Sequence, residues 1–211
     1  MKGEPALVLA SASPRRRELL AGLGFAFTVR PVAIDESPRP GEPPLPCVLR
    51  LAREKAAAAV RPGELVLAAD TLVVLDGELL GKPDGPEDAR RMLARIAGRE
   101  HTVLTGVVLL DSAAAREAAE VAASRVRLGP LTAEEIRWYV ATGEPLDKAG
   151  AYGIQGFGSV FVESVLGNYT NVVGLPLPAT RRLFGALGHD WRRFLAGGTA
   201  PPVTRGPANG T

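Results

Sequence analysis

Residues 65–80 read LVLAADTLVVLDGELL. The first eleven are apolar or β-branched with one interruption, Asp70, the pattern of a strand buried on both faces. Asp76-Gly77 then supplies a strong short hairpin signal, and Glu78, Leu79 and Leu80 form the return strand. A tight hairpin joins antiparallel strands, so the sheet that holds this segment is not purely parallel.

Working outward from this hairpin, strand and helix patterns alternate. Residues 6–10 are a short apolar run, read as a buried strand. Ser13 and Pro14 follow as N-cap and first helical position of a helix that stops at Gly22 and Gly24. Residues 25–32 suit a second strand, the proline-rich residues 31–46 a loop, and residues 47–60 a helix. Pro86 and Gly98 bracket another helix. Residues 102–110 and 118–128 read as strands paired across Asp111-Ser112, a second hairpin. Thr132 with Glu135 forms a capping box for a helix to residue 142. Residues 159–165 are a further strand and residues 176–187 a final helix. The expectation is an α/β fold with a mixed sheet and flanking helices, without the regular βαβ spacing of a dinucleotide-binding unit. Residues 1–195 form one domain, and the Gly, Pro, Thr and Asn of residues 196–211 read as a disordered tail.

Composition narrows the function classes. The chain has 211 residues, 46% hydrophobic and 23% charged, the balance of an ordinary globular protein. Twenty-five Lys and Arg against 23 Asp and Glu leave a net charge of only +2, which argues against a general nucleic-acid binder. Aromatics at 5% leave little material for base-stacking platforms. No apolar run approaches the ~20 residues of a membrane span, and the five-residue apolar stretch near the start is shorter than a signal-peptide core. A cytoplasmic location is expected, in agreement with a lone Cys47 that allows neither an internal disulfide nor a cysteine-cluster metal site.

Four constellations carry chemistry. Ser11-Ala12-Ser13-Pro14-Arg15-Arg16-Arg17 lies between a strand and a helix start, where free N–H groups, positive potential and arginine donors suit a phosphate. An ordinary cap with solvated arginines is the plain alternative, but three Arg on a first turn oppose the helix macrodipole, which favours a bound anion. Asp70-Thr71 interrupts the apolar strand, and an aspartate there is costly to bury without a partner, metal or proton. Lys55 and Lys82, in Arg53-Glu54-Lys55 and Gly81-Lys82-Pro83, are unremarkable alone but make sense as point charges converging on a polyphosphate. Asp35-Glu36, judged alone, reads best as an exposed acidic loop. The fourth is residues 147–158, DKAGAYGIQGFG, with four glycines in nine residues and Gln155, whose amide can read a base edge. Its glycine spacing is not GxGxxG, so a nicotinamide cofactor is set aside. His101 and His189 leave a Ser–His–Asp triad open, though no GxSxG elbow supports one, and Cys47 reads as a small packing residue.

Taken in order, Leu9 to Arg16, Arg50 to Lys55, Ala69 to Thr71, Gly81 to Pro83, Thr105-Gly106, Glu144 to Gly156 and Gly167 to Leu177 resemble the Maf family of nucleoside-triphosphate pyrophosphatases along nearly the whole chain. The resemblance implies a two-lobed mixed α/β fold, similar to inosine-triphosphate pyrophosphatases, with the active-site cleft between lobes. It implies hydrolysis of a nucleoside triphosphate to monophosphate and pyrophosphate with a divalent metal, usually Mg²⁺, with Mn²⁺ or Co²⁺ as alternatives. Carried over, Asp70 would be the catalytic carboxylate, with Lys55 and Lys82 beside it and Glu36 assisting at the metal. Ser11, Arg15 and Arg16 would hold phosphates or fix the site. Arg15, Thr71 and Gln155 stand where the dTTP- and UTP-preferring branch carries these residues, whereas the branch acting on 7-methyl-GTP has Trp, Gln and Glu. Modified pyrimidine triphosphates would be further substrates, and a homodimer is compatible with the family though no sequence feature demands one. The alternative reading is a nucleotide-sensing regulator of cell division that uses the same pocket without needing turnover.

Overall fold

The structure, a computed structural model, describes residues 4–197. Its centre is a seven-stranded mixed sheet, ordered β2-β1-β3-β5-β6-β7 with β4 paired to β3. The strands are β1 (Ala6–Leu9), β2 (Thr28–Val29), β3 (Glu64–Leu75), β4 (Glu78–Leu80), β5 (Glu100–Asp111), β6 (Arg116–Leu128) and β7 (Val162–Leu166). β1 runs parallel to both β2 and β3, and every other pairing is antiparallel. Among the described residues six α-helices flank or cap the sheet: α1 (Pro14–Gly22), α2 (Pro44–Ala59), α3 (Pro86–Ile96), α4 (Ala133–Ala141), α5 (Tyr169–Val173) and α6 (Leu177–Ala186). No helix among the described residues is long and apolar enough to cross a membrane.

The hairpin that opens the sequence reading forms as expected. Asp76 and Gly77 both take positive φ, 53° and 84°, and Leu75 pairs with Glu78. Both hairpins confirm the mixed sheet, and the Thr132–Glu135 capping box closes in both directions. Elsewhere the chain departs from the local pattern for reasons of pairing. The strand expected at residues 25–32 shrinks to Thr28–Val29, because β1 is four residues long and offers only Val8 and Leu9 as partners. Phe25 makes a single bridge to Leu195 instead. α2 starts at Pro44, three residues before the expected position, since prolines in a first turn need no N–H partner. Residues 156–161 form 3-10 turns, not strand, so β7 begins only at Val162. α5 was absent from the expected elements, although Asn168 caps it through Asn171 N (2.8 Å) and Gly174 ends it with φ 118°. Ser13 occupies the N-cap position of α1, but its side chain caps nothing. Ala196 donates its amide to Gly24 O (2.7 Å), and the remainder of the expected tail, from residue 198, lies outside the described residues.

The apolar packing sorts by strand parity. Even residues Val66 and Ala68 of β3 face α2, packing on Ala52, Ala56 and Ala59, and Leu72 packs on Cys47, Val48 and Leu51. Odd residues face the other way and divide into two clusters. Leu65, Leu67 and Ala69 pack with Leu20, Leu175, Leu183 and Phe184, whereas Val73 and Leu75 pack with Leu93, Ile96, Tyr139 and Tyr152. The break between the clusters falls at Thr71 and its cross-strand partner Thr105. One face of the sheet therefore carries two apolar centres with a polar seam between them.

His101 belongs to the second centre. Its Nε2 lies 2.8 Å from the Tyr152 hydroxyl, Nδ1 has no partner, and burial lowers its pKa from 6.5 to about 4. The native state keeps the ring neutral while the unfolded chain takes up a proton near pH 6.5. Stability is therefore lost as pH falls from about 6.5 to about 4, by up to about 3 kcal/mol, and this group contributes no pH dependence above that window. Urea unfolding of wild type and His101→Gln across pH 4.5–7 should show a shallower pH slope in the variant; parallel slopes would mean the ring titrates normally in the fold.

Candidate active site

β3 loses its neighbour where it is most needed. β1 pairs with residues 64–67 and β4 with residues 73–75, so one edge of β3 is open across Ala68 to Leu72. β1 ends here and the chain leaves it through Ser11 to Ser13 into α1, which sets a parallel strand's carboxyl end beside an open edge, a recurrent place for ligands in α/β sheets. Asp70 and Thr71 occupy this gap. Being adjacent in a strand, they project to opposite faces, Asp70 toward α2 and Thr71 toward α1 and α5.

On the α2 face, Lys55 Nζ donates to Asp70 Oδ1 at 2.5 Å, and both residues are almost wholly buried, 7% and 6% exposed. Lys55 reaches Asp70 because α2 lies unusually close to the sheet. Gly106 pairs with Asp70 in β5, and a Cβ there would stand 2.6 Å from the carbonyl oxygen of Val48. Two turns further along α2, Lys55 lies over the carboxylate. The same ammonium meets Glu36 Oε1 at 2.6 Å, and Lys82 Nζ stands 3.6 Å from Glu36 Oε2. Glu36 is thus no idle loop residue. Partial burial raises its pKa, but the hydrogen bond and charge of Lys55, with Lys82 behind, outweigh this and hold the carboxyl below its ordinary value.

On the other face Arg16 ties the elements together. Its guanidinium donates to Gly174 O (2.7 Å), Ser11 Oγ (3.2 Å) and Thr71 Oγ1 (3.0 Å). Thr71 Oγ1 lies 3.0 Å from Thr105 Oγ1, which donates to Asn171 O, while Asn171 Nδ2 donates to Val103 O and Ser124 Oγ. Burial lowers the Arg16 pKa, with the nearby Asp70 charge opposing that shift. The seam noted between the two apolar centres is this network. Thr105, Ser124, Asn171 and Gly174 were not singled out as site-supporting residues; a run of polar residues interrupting apolar strands at 105 and 124 is the signal that could have found them.

These parts surround a cavity of about 800 Å³. All nine residues expected at a site line it: Ser11, Arg15, Arg16, Glu36, Lys55, Asp70, Thr71, Lys82 and Gln155. Arg15 Nη1 lies 3.3 Å from Asp147 Oδ2, on the wall that carries the glycine-rich loop. Asp147 also takes Lys148 Nζ (2.6 Å); burial raises its pKa, but Lys148 and Arg15 outweigh that and the carboxyl sits below its usual range. Lys148, Asp84 and Ser13 line the cavity as well, roles the sequence reading did not assign. Arg15, Arg16, Lys55, Lys82 and Lys148 face Glu36, Asp70, Asp84 and Asp147, five cations to four carboxylates. Gln155 is exposed, and its amide has no hydrogen bond among the described residues. The two histidines are engaged elsewhere, His189 Nε2 with Asp111 (2.8 Å) and His101 with Tyr152, and neither lines the cavity.

A metal ion at this cavity would find its protein ligands in Glu36 and Asp70, which share the Lys55 ammonium. No group of three or more His, Cys, Asp or Glu gathers among the described residues, which excludes a protein-only cage there. Glu36 and Asp70 do converge on one point, the Lys55 ammonium. Two carboxylates completed by ligand oxygens and water suit a hard octahedral cation such as Mg²⁺ and not a soft one.

Fold and cavity together define a mixed α/β protein with a densely charged site at an opening in its sheet. The family model described as Maf-like protein matches residues 6–187, from the first strand to the end of α6. A dTTP/UTP pyrophosphatase of Anaeromyxobacter sp. (strain Fw109-5) is 58% identical over 197 residues, covering 92% of this chain and 95% of the relative. One of Moorella thermoacetica is 54% identical over 190 residues, covering 89% and 98%, and one of Myxococcus xanthus is 54% identical, covering 86% and 92%. The chain belongs to the Maf family.

Removing one partner of a buried ion pair leaves the other charge unpaired, at a cost of about 3–5 kcal/mol. Lys55→Ala should therefore lower stability by that amount in urea unfolding at pH 7, and the double variant Lys55→Met/Asp70→Leu should recover most of it. A loss below about 1 kcal/mol in the single variant would show that water reaches the pair.

Proposed function

We propose that the protein hydrolyses dTTP and UTP, the substrates in the names of its close relatives, to the nucleoside monophosphate and pyrophosphate, and that modified pyrimidine triphosphates are further substrates. The observation that carries this reading is the Lys55–Asp70 pair, joined by Glu36 and Lys82, facing the Ser11–Arg16 turn across one cavity with Gln155 on its rim. We read the two apolar centres as two lobes, and the cavity at their polar seam as the cleft between them.

A nucleoside triphosphate carries roughly four negative charges, and the cavity's own cations are nearly balanced by its carboxylates. A divalent ion held by Glu36 and Asp70 would neutralise phosphate charge and polarise the bond to be broken. Arg15, Lys82 and the free N–H groups at the start of α1 would hold the phosphates. Arg16 has its donors committed to Gly174, Ser11 and Thr71, so its part is to fix the site's wall. Thr71, bound to Arg16 and Thr105, does the same.

Lys55 holds Asp70 in place through its 2.5 Å contact. The carboxylate takes a proton from water as its oxygen attacks the α-phosphorus, the bond to the bridging oxygen breaks in line, and pyrophosphate departs against the cationic wall. At the far end, the Gln155 amide would donate to a base carbonyl and accept the adjacent N–H of uracil or thymine. Cytosine lacks that N–H and would leave the amide unpaired. The sensor reading gives no task to a buried carboxylate held by an ammonium at the phosphate end.

UTP with Mg²⁺ in ¹⁸O-labelled water should yield labelled UMP and unlabelled pyrophosphate, and chelation should abolish turnover. Asp70→Asn should lower kcat by about 10²–10⁴-fold with the fold retained. Orthophosphate as first product, label in pyrophosphate, or an active Asn variant would overturn the assignment.

A further inference from the structure

The loop that carries Gln155 is held from behind by two residues that do not line the cavity. Glu144, in the 3-10 turn Glu144–Asp147, accepts three hydrogen bonds: from Tyr139 Oη (2.8 Å), Phe157 N (2.8 Å) and Gly158 N (3.0 Å). Tyr139 is wholly buried on α4, and its hydroxyl oxygen in turn accepts from Gly153 N at 3.0 Å. The residues before and after Gln155 are therefore pinned to one carboxylate–phenol pair. Contact is close on both sides: a Cβ on Gly156 would collide with Glu144 Oε2, and one on Gly158 with Tyr139 Oη. Gln155 itself contributes nothing to this clamp: it is exposed, and its amide has no hydrogen bond among the described residues.

A side chain with three soft torsions reads a base edge only if its backbone is fixed, because each torsion left free dilutes the geometry that separates one base from another. The clamp also reaches the phosphate end. Lys148 Nζ donates to Glu144 O (2.5 Å) and to Asp147 Oδ1, and Asp147 takes Arg15. One turn thus ties the loop at the base end to an arginine at the other.

We infer that Glu144 and Tyr139 are positioning residues for base selection, holding the 153–158 loop so that Gln155 meets a pyrimidine with an acceptor beside an N–H. The inference rests on the reading of Gln155 given above. Partial burial alone would raise the Glu144 pKa, but the bonds from Gly158, Tyr139 and Phe157 outweigh it and keep the carboxylate ionised, hence an acceptor only. Glutamine at this position keeps the size but replaces one acceptor oxygen by a donor that faces another N–H or hydroxyl.

The test compares kcat/KM for UTP and CTP in wild type, Gln155→Ala, Glu144→Gln and Tyr139→Phe, with thermal melts for each. Gln155→Ala should collapse the UTP-over-CTP ratio. Glu144→Gln and Tyr139→Phe should each lower it by about tenfold, mainly through a higher KM for UTP. Equal losses on both substrates, or an unchanged ratio in the two clamp variants while Gln155→Ala loses it, would overturn the clamp. An unchanged ratio in Gln155→Ala would instead overturn the base reading on which it rests. Tyr139→Phe removes one hydroxyl from an otherwise intact ring packing, so it decides the matter even where Glu144→Gln melts.

Discussion

An ionised carboxylate in the middle of an apolar strand has to be met by a charge, and in this protein the charge is a single ammonium brought in by a helix. The Lys55–Asp70 contact sets conditions on much that surrounds it. α2 must lie against the sheet closely enough for a lysine stem to reach the strand, which Gly106 permits by presenting no Cβ toward the Val48 carbonyl. The alanines at 52, 56 and 59 keep the same face of α2 narrow. β3 must also be free on one edge at Asp70, or the carboxylate would be walled in by neighbouring strands. β1 stops at Leu9 and β4 starts its pairing at Val73, leaving that edge open.

The opposite face solves a related problem with a different cation. Thr71 and Thr105 interrupt what would otherwise be one continuous apolar layer, and Arg16 with Asn171 satisfies the hydroxyls and backbone carbonyls left there. Buried polar networks stabilise only when nearly all members are paired. This one is nearly complete: Asn171 Oδ1 is its single buried atom without a partner. The division of the apolar packing into two centres has its origin in that seam. The two cations differ in consequence. Arg16 is committed to protein acceptors, while Lys55 shares its ammonium with two carboxylates that open onto the cavity.

Much of this was legible locally. Asp76-Gly77 required an antiparallel return, Thr132 with Glu135 required a helix start, and an aspartate inside an apolar strand required a partner. Glu36 was legible only through the family resemblance, because judged alone an acidic pair in a proline-rich loop looks the same whether it faces solvent or a lysine nineteen residues away. The strand expected at 25–32 shrank to Thr28–Val29 for the converse reason: its residues favour extended structure, but a ladder needs a neighbour, and β1 offers only Val8 and Leu9. Glu144 escaped notice within a recognised motif, since its work is done through Phe157, Gly158 and Tyr139, none adjacent to it.

By itself the amino-acid order determined the elements whose signals lie within a few residues: the hairpins, the capped helices, the mixed character of the sheet and the residue types able to hold phosphate. Local signals suffice there because turn geometry and capping are settled between near neighbours. Tertiary structure alone decided which cation meets which carboxylate, that Arg16 is bound to Gly174, Ser11 and Thr71 while Arg15 meets Asp147, and that the loop bearing Gln155 leans on Glu144. Those outcomes depend on distances between segments far apart in the chain, and such distances are fixed only once the sheet has set its strand order and α2 has settled over Gly106.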